Sequence, residues 1–212
     1  VMYTQWAKNI LMETCPELAE KTVVIPHGVD VDIFRPLPVE EKIAVRKAID
    51  PKLENAFIVG NFNRNQPRKG IPEMMEAFQY FISPWTTCRK CKRIFYETLS
   101  SCRFCGSKDV IRGPGKDNAY LFLHMVLDSP PEKGWAIRER GGHPGGLIEY
   151  YNLKGRVIHT KGLKVGKGVP EEELNRIINM CDVTVNPSSA EGFGLTSLES
   201  MSAGIPCLVS HY

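Results

Sequence analysis

Residues 182–206, DVTVNPSSAEGFGLTSLESMSAGIP, hold two carboxylates that can work together. A short apolar strand (Val183, Val185) runs into a loop of small residues carrying Glu191, then the turn Gly192-Phe193-Gly194-Leu195. Glu199 follows eight residues after Glu191, in a segment that reads as a helix. The first N–H groups of a helix have no partner inside it, so they attract anions. A carboxylate on either side of such a site accepts hydrogen bonds from hydroxyls. Phosphate plus polyol describes a nucleotide sugar. By themselves, two Glu at this spacing are equally a strand–loop–helix unit with surface acids.

A second group of charges follows the apolar run Phe57–Gly60. The loop Asn61–Gly70 holds Arg64, Arg68 and Lys69. When a glycosidic bond to a diphosphate breaks, negative charge stays on the phosphate, and fixed cations there stabilise the transition state more than the ground state. Arg grips two oxygens at once; Lys acts as a point charge. The bland alternative is a surface charge cluster, and Arg68 beside Lys69 reads as a solvated neighbour.

Four cysteines form the third group. Cys88-x-x-Cys91 and Cys102-x-x-Cys105 are two knuckles whose sulfurs can surround one Zn²⁺ tetrahedrally. The segment 83–116 has few large apolar residues and needs such a staple to fold. Four thiolates leave no open position, so this zinc is expected to be structural, and no catalytic metal is expected. Two disulfides are the rival pairing. Cys15, Cys181 and Cys207 lie on apolar faces and read as inert core residues.

The elements that position these groups alternate between strand and helix. Residues 1–18 have helical spacing, with Trp6, Ile10, Leu11 and Cys15 on one face. Lys21–Ile25 reads as a strand, 39–50 as a charged helix, and Phe57–Gly60 as a buried strand. Ile71, Met74, Met75, Phe78 and Ile82 make one apolar helix face, with Pro72 in its first turn. Tyr120–Leu127 and Val157–His159 read as strands. Residues 135–151 read as a glycine-interrupted helix, and the loop 160–169 carries Lys161, Lys164 and Lys167. Pro170 opens another helix. Strands that are continuous apolar runs indicate a parallel sheet covered on both faces. Ligands of such sheets bind beyond the strands' carboxyl ends, where the loops 60–70 and 186–195 converge. His124 reads as a satisfied core residue, and His211 follows the last strand.

The string around Glu191 resembles the Glu-x7-Glu motif of retaining glycosyltransferases of family 4, also called group 1. Pro26-His27-Gly28-Val29-Asp30 is similar to the hinge of that family, where a glycine lets the backbone approach the ligand. The resemblance covers 1–82 and 119–212. It implies an α/β fold: the Rossmann-like parallel sheet of a GT-B donor domain, truncated, with helices on both faces and a small four-cysteine zinc ribbon inserted. The implied division is 1–36, the end of an acceptor domain and hinge; 37–82 with 117–212, the donor-binding domain; and 83–116, the ribbon. Both termini look like cuts within a longer protein, so the fragment is expected to bind donor weakly and to show no turnover alone.

The implied roles follow residue by residue. Glu191 contacts the donor hexose and Glu199 the ribose, while the amides from Phe193 to Leu195 meet the diphosphate. Arg64 and Lys69 match the family's cations by spacing, though the family more often has Gly-Arg directly after the strand. Catalytic candidates are therefore Arg64, Lys69 and Glu191. Donor-binding candidates are Gly28, Arg68, Gly192, Phe193, Gly194, Leu195 and Glu199. The implied reaction moves a hexose from a nucleotide-diphosphate sugar to an unidentified acceptor with retention.

Composition fits a soluble globular protein: 212 residues, 42% hydrophobic, 24% charged, net charge +3. No apolar run is long enough to span a membrane, and no leader pattern is present, which points to a cytoplasmic protein. Charge is uneven, however. Residues 83–116 hold eight Lys or Arg against Glu97 and Asp109. That insert can meet an acidic partner such as lipid, nucleic acid or a phosphorylated acceptor. Two rival readings are a zinc-ribbon nucleic-acid-binding protein on an α/β scaffold and an inactive sugar-nucleotide-binding relative.

Overall fold

The computed structural model describes residues 1–126, 143–163 and 168–210. Thr4 caps the first helix, α1 (Gln5–Thr14), by accepting from the Ala7 N–H at 3.1 Å. Next come α2 (Val39–Ile49), β1 (Phe57–Asn61) and α3 (Ile71–Ile82). The cysteine-bearing segment contributes β2 (Trp85–Cys88), β3 (Ile94–Phe95) and β4 (Val110–Gly113). The chain returns as β5 (Ala119–Leu123), α4 (Pro144–Tyr150), β6 (Val157–His159), α5 (Glu171–Asn179), β7 (Val183–Asn186), α6 (Leu195–Ser202) and β8 (Cys207–Val209).

Five strands pair in the order β6-β5-β1-β7-β8, all parallel. Successive strand side chains point to opposite faces, and this divides the core in two. Ile58 and Phe122 face a cluster with Phe34, Leu53, Ile177 and Ile178. Val59 and Leu121 face the other, with Ile71, Met75, Phe78 and Leu153. Apolar runs covered on both sides give the α/β architecture that the sequence implied. A separate antiparallel sheet, β3-β2-β4, forms the ribbon.

Topology places the ribbon. In a parallel sheet, α3 starts at the carboxyl edge and runs back to the edge where β5 begins. The ribbon leaves from that amino edge. Tyr96 of the ribbon stacks on Tyr80 of α3 at 4.0 Å, and the Lys116 N–H donates to the Phe81 carbonyl at 3.1 Å. The loops after β1 and β7 lie at the opposite edge.

Several expectations change. Lys21–Ile25 makes only a single bridge, between Met2 and Val24, because no longer strand lies beside it. No residue of α1 is buried: Leu11 is half-buried, and Trp6 is 72% exposed. The strand expected over Tyr120–Leu127 ends at Leu123, where the His124 N–H turns to the Asn61 carbonyl at 2.8 Å. Leu127, the first part of the 135–151 helix, Lys164, Lys167 and His211 lie outside the described residues. Cys181 is buried, and burial pushes its thiol up, whereas Cys15 and Cys207 are half-exposed. No helix among the described residues is long and apolar enough to cross a membrane.

Candidate functional site

Two strand ends lie side by side, because β1 pairs with β7 in register Gly60–Thr184. Asn61 stitches them: its Nδ2 donates to the Val185 carbonyl at 2.9 Å, and its Oδ1 accepts from the Asn63 N–H at 3.1 Å. Asn63 Nδ2 then donates to Asn186 Oδ1 at 3.0 Å. Beyond a short turn, Pro67–Lys69, Gly70 takes φ +59°, a left-handed backbone. A Cβ at Gly70 would stand 2.7 Å from the Pro187 carbonyl oxygen. The two loops are thus packed at a point only glycine fits. Gly70→Ala is expected to destabilise the chain by about 1–3 kcal/mol, read as a lower urea midpoint with unchanged slope.

Lys69, only 7% exposed, reaches across this contact to Glu191, with its ammonium on Oε1. The same oxygen accepts from Ser188 Oγ at 2.8 Å and Asn186 Nδ2 at 3.2 Å. Among the described residues, Glu191 Oε2 meets only Arg68 Nη1, at 3.5 Å. One carboxylate oxygen is therefore saturated by the protein, and the other keeps acceptor capacity. Burial pushes the Glu191 carboxyl up, but the hydrogen bonds from Lys69, Ser188 and Asn186 and the Lys69 charge outweigh it and hold the acid below its ordinary range.

Arg68 also donates to the Ala190 carbonyl at 2.5 Å, so it bridges the two loops while its side chain stays half in solvent. Arg64 is exposed, and its side chain has no partner among the described residues. The structure thus brings Lys69 and Arg68 onto Glu191 and leaves Arg64 at the open side of the loop.

The turn after Glu191 presents donors. Gly194 caps α6 with φ +87°, and the N–H groups of Phe193, Gly194 and Leu195 donate to no group among the described residues. Such amides form an anion cradle. The segment around His27 arrives beside them: the His27 ring lies 5.1 Å from Phe193 and stacks on Tyr3 at 3.9 Å. A Cβ at Gly28 would meet nothing within 4 Å. On α6, burial first and Glu171 second push the Glu199 carboxyl up to about 7.

Sequence reasoning missed Asn186 and Ser188, which donate to Glu191, and Asn63, which donates to Asn186 behind them. The available signal was an Asn as the last residue of both β1 and β7, since a buried amide at a strand end must bond to something. His124 sits just past β5, with Nδ1 2.9 Å from Thr160 Oγ1, and burial lowers its pKa, favouring the neutral ring.

The four knuckle sulfurs lie within 4.8 Å of one another, with Cys88–Cys105 and Cys91–Cys102 at 3.6 Å. Disulfides would need about 2.05 Å, whereas a tetrahedral Zn–S₄ centre has sulfurs about 3.8 Å apart. The two knuckles repeat one geometry. Lys92 and Gly106 follow the second cysteine of each pair, have φ +61° and +71°, and donate their N–H to the Cys88 and Cys102 carbonyls, each at 2.9 Å. The four cysteines therefore suit a tetrahedral metal ion held by thiolates.

Comparisons with known proteins agree with this layout. Residues 148–212 match the family model of glycosyl transferases group 1. Sucrose-phosphate synthase from Thermosynechococcus elongatus has a similar structure: 21% identity, TM-score 0.60, covering 99% of this chain and 40% of that one. Anabaena HepE, solved with UDP-glucose, is 18% identical with TM-score 0.61, covering 98% and 43%. The C-terminal domain of the group 1 glycosyl transferase LpcC from Francisella tularensis is 17% identical with TM-score 0.51, covering 86% and 70%. Among curated proteins, none matches the chain in sequence. The chain spans less than half the length of the first two of these structures. The fold is that of a GT-B donor half, and residues 148–212 carry the group 1 glycosyl transferase pattern.

Proposed function

We propose that this chain is the donor-binding part of a retaining glycosyltransferase that takes a hexose from a nucleotide-diphosphate sugar. The contact of Lys69 with Glu191, beside unpartnered turn amides, carries the reading. It puts a cation, an acid with one open oxygen and an anion cradle in one crevice. The diphosphate lies against the amides of Phe193 to Leu195, with Arg64 and Arg68 facing it. The Lys69 ammonium has three donors, so it can hold a phosphate oxygen while still bonded to Glu191. Glu191 Oε2 accepts from a sugar hydroxyl, and Glu199 accepts from the ribose. As the glycosidic bond breaks, these fixed charges stabilise the departing diphosphate, and a phosphate oxygen takes the proton of the acceptor hydroxyl arriving on the same face. HepE was solved with UDP-glucose, which makes UDP-glucose the first donor to try.

Cys88, Cys91, Cys102 and Cys105 hold a structural zinc with no open position for substrate. We place the protein in the cytoplasm, where thiols stay reduced.

Calorimetry with UDP, UDP-glucose and a panel of other nucleotide sugars tests the reading; silence across the whole panel overturns it. The pH dependence has a definite sign. An ionised carboxylate accepts from both ribose hydroxyls, so donor binding favours the charged form of Glu199. Affinity therefore rises from pH 6 to 8 around a group near 7, with proton release, and Glu199→Gln flattens the profile. Stability runs the other way. With the folded-state pKa raised above 4.5, the protonated acid is favoured, and the contribution of Glu199 is lost as pH rises from 4.5 to about 7.

A further inference from the structure

The ribbon carries cations that its fold does not use. Its two acids are already matched: Arg103 Nη1 lies 2.8 Å from Glu97 Oε1, and Arg89 Nη1 lies 3.9 Å from Asp109 Oδ1. Arg112 turns inward to the carbonyls of Leu99 and Ser100, and Lys116 lies over the Phe57 ring at 5.6 Å. Lys90, Lys92, Arg93 and Lys108 remain. All four are exposed, and none is ion-paired with a described carboxylate. They are not scattered: Lys90, Lys92 and Arg93 flank Cys91, and Lys108 follows the second knuckle.

The sulfur cluster holds the two knuckles together, so the four charges are fixed on one tip. An aromatic ring joins them. The Arg93 guanidinium stacks 3.6 Å from the Phe104 centroid, linking one knuckle to the other, and Phe104 stays 63% exposed. Rigid cations around an accessible ring and guanidinium plane suit a flexible polyanion with flat bases: the cations neutralise phosphates, and a base stacks on the ring. A lipid surface fits less well. Insertion asks for a contiguous apolar face; here one face of Phe104 is covered by Arg93, Tyr96 is stacked on Tyr80 of α3, and Ile94 and Ile111 are separated by the polar Thr87 between them.

We infer that the knuckle tip binds single-stranded nucleic acid through Lys90, Lys92, Arg93 and Lys108, with Phe104 as a stacking platform. The tip lies at the amino edge of the parallel sheet, opposite the Lys69–Glu191 crevice. Nucleic acid and nucleotide therefore bind without competing, and the inference stands whether or not the transferase reading holds.

Fluorescence anisotropy of a labelled single-stranded oligonucleotide of about a dozen bases, with the zinc-loaded full chain, tests it. Three to four phosphate contacts give a log–log salt slope of about −2 to −3, so affinity falls about 15- to 60-fold between 50 and 200 mM salt. The variant Lys90→Ala/Lys92→Ala/Arg93→Ala/Lys108→Ala loses this binding. Phe104→Ala weakens it about fivefold or more without changing the slope. Zinc content and circular dichroism confirm that the variants fold, and Lys→Gln and Arg→Gln versions, which remove the charge but keep a polar side chain, replace any that does not. Four results would overturn the inference: no binding at 50 mM salt, full binding by the quadruple variant, displacement by excess UDP, or retention on phosphatidylcholine vesicles containing about a third phosphatidylserine without oligonucleotide binding.

Discussion

Glu191→Ala is expected to lower both stability and sugar recognition, by separable amounts. The substitution leaves Lys69, only 7% exposed, with no carboxylate partner, and it strips acceptors from Ser188 and Asn186. Removing one member of a buried pair costs about 3–5 kcal/mol, and the crevice is partly open, so about 2–4 kcal/mol is expected. Urea denaturation reads this loss. Calorimetry reads the other: a hydrogen bond to a charged acceptor contributes about 1.5–3 kcal/mol, so affinity for the sugar nucleotide falls roughly 10- to 150-fold, toward that of the bare nucleotide. A double variant, Lys69→Met with Glu191→Leu, separates the effects. It removes both charges and recovers much of the stability while sugar recognition stays lost. Acid should reveal the same pair. The folded-state pKa of Glu191 lies below 4.5, so its stabilisation is present above that pH and is lost as pH falls through the lowered value. If Glu191→Ala unfolded at the wild-type urea concentration, the buried pair would carry no weight.

The second large effect belongs to the ribbon. Chelation of the metal, or Cys102→Ser, is expected to melt β2, β3 and β4 and leave the parallel sheet standing. A thiolate-held zinc contributes about 10–16 kcal/mol to a small metal module, more than the few buried side chains of this insert can supply. Among the ribbon's buried residues are Thr86, Cys88, Leu99 and Cys102, and two of these are themselves knuckle cysteines. The sheet does not depend on them, because β1 pairs directly with β5 over five residues, from Phe57–Ala119 to Asn61–Leu123. Hydrogen exchange should show protection lost between Trp85 and Gly113 and kept in β1 and β5, with one zinc per folded chain by elemental analysis. Full protection of the ribbon in metal-free protein would remove the case for a structural ion.

Local pattern alone determined much of this molecule. Apolar runs at Phe57–Gly60, Tyr120–Leu127 (of which the strand keeps the part up to Leu123) and Val157–His159, alternating with an amphipathic helix such as Ile71–Ile82, are legible as a covered parallel sheet because side-chain period and burial are properties of neighbouring residues. The paired CxxC knuckles and the Glu191–Glu199 spacing are legible for the same reason: each is complete within a short stretch. What the tertiary structure decided lies between residues far apart in the chain. Lys69 and Glu191 are separated by 122 positions, and only the β1–β7 register brings them together. That register also turned Arg68 onto Glu191, left Arg64 exposed, and recruited Asn186 and Ser188 as donors to Glu191, with Asn63 behind Asn186, which no spacing announced. Lys21–Ile25 looked like a strand because strand propensity is local, but strand formation needs a neighbour, and the fold supplies only Met2. The basic insert could be recognised from composition, yet its position opposite the crevice follows only from the direction in which α3 crosses the sheet.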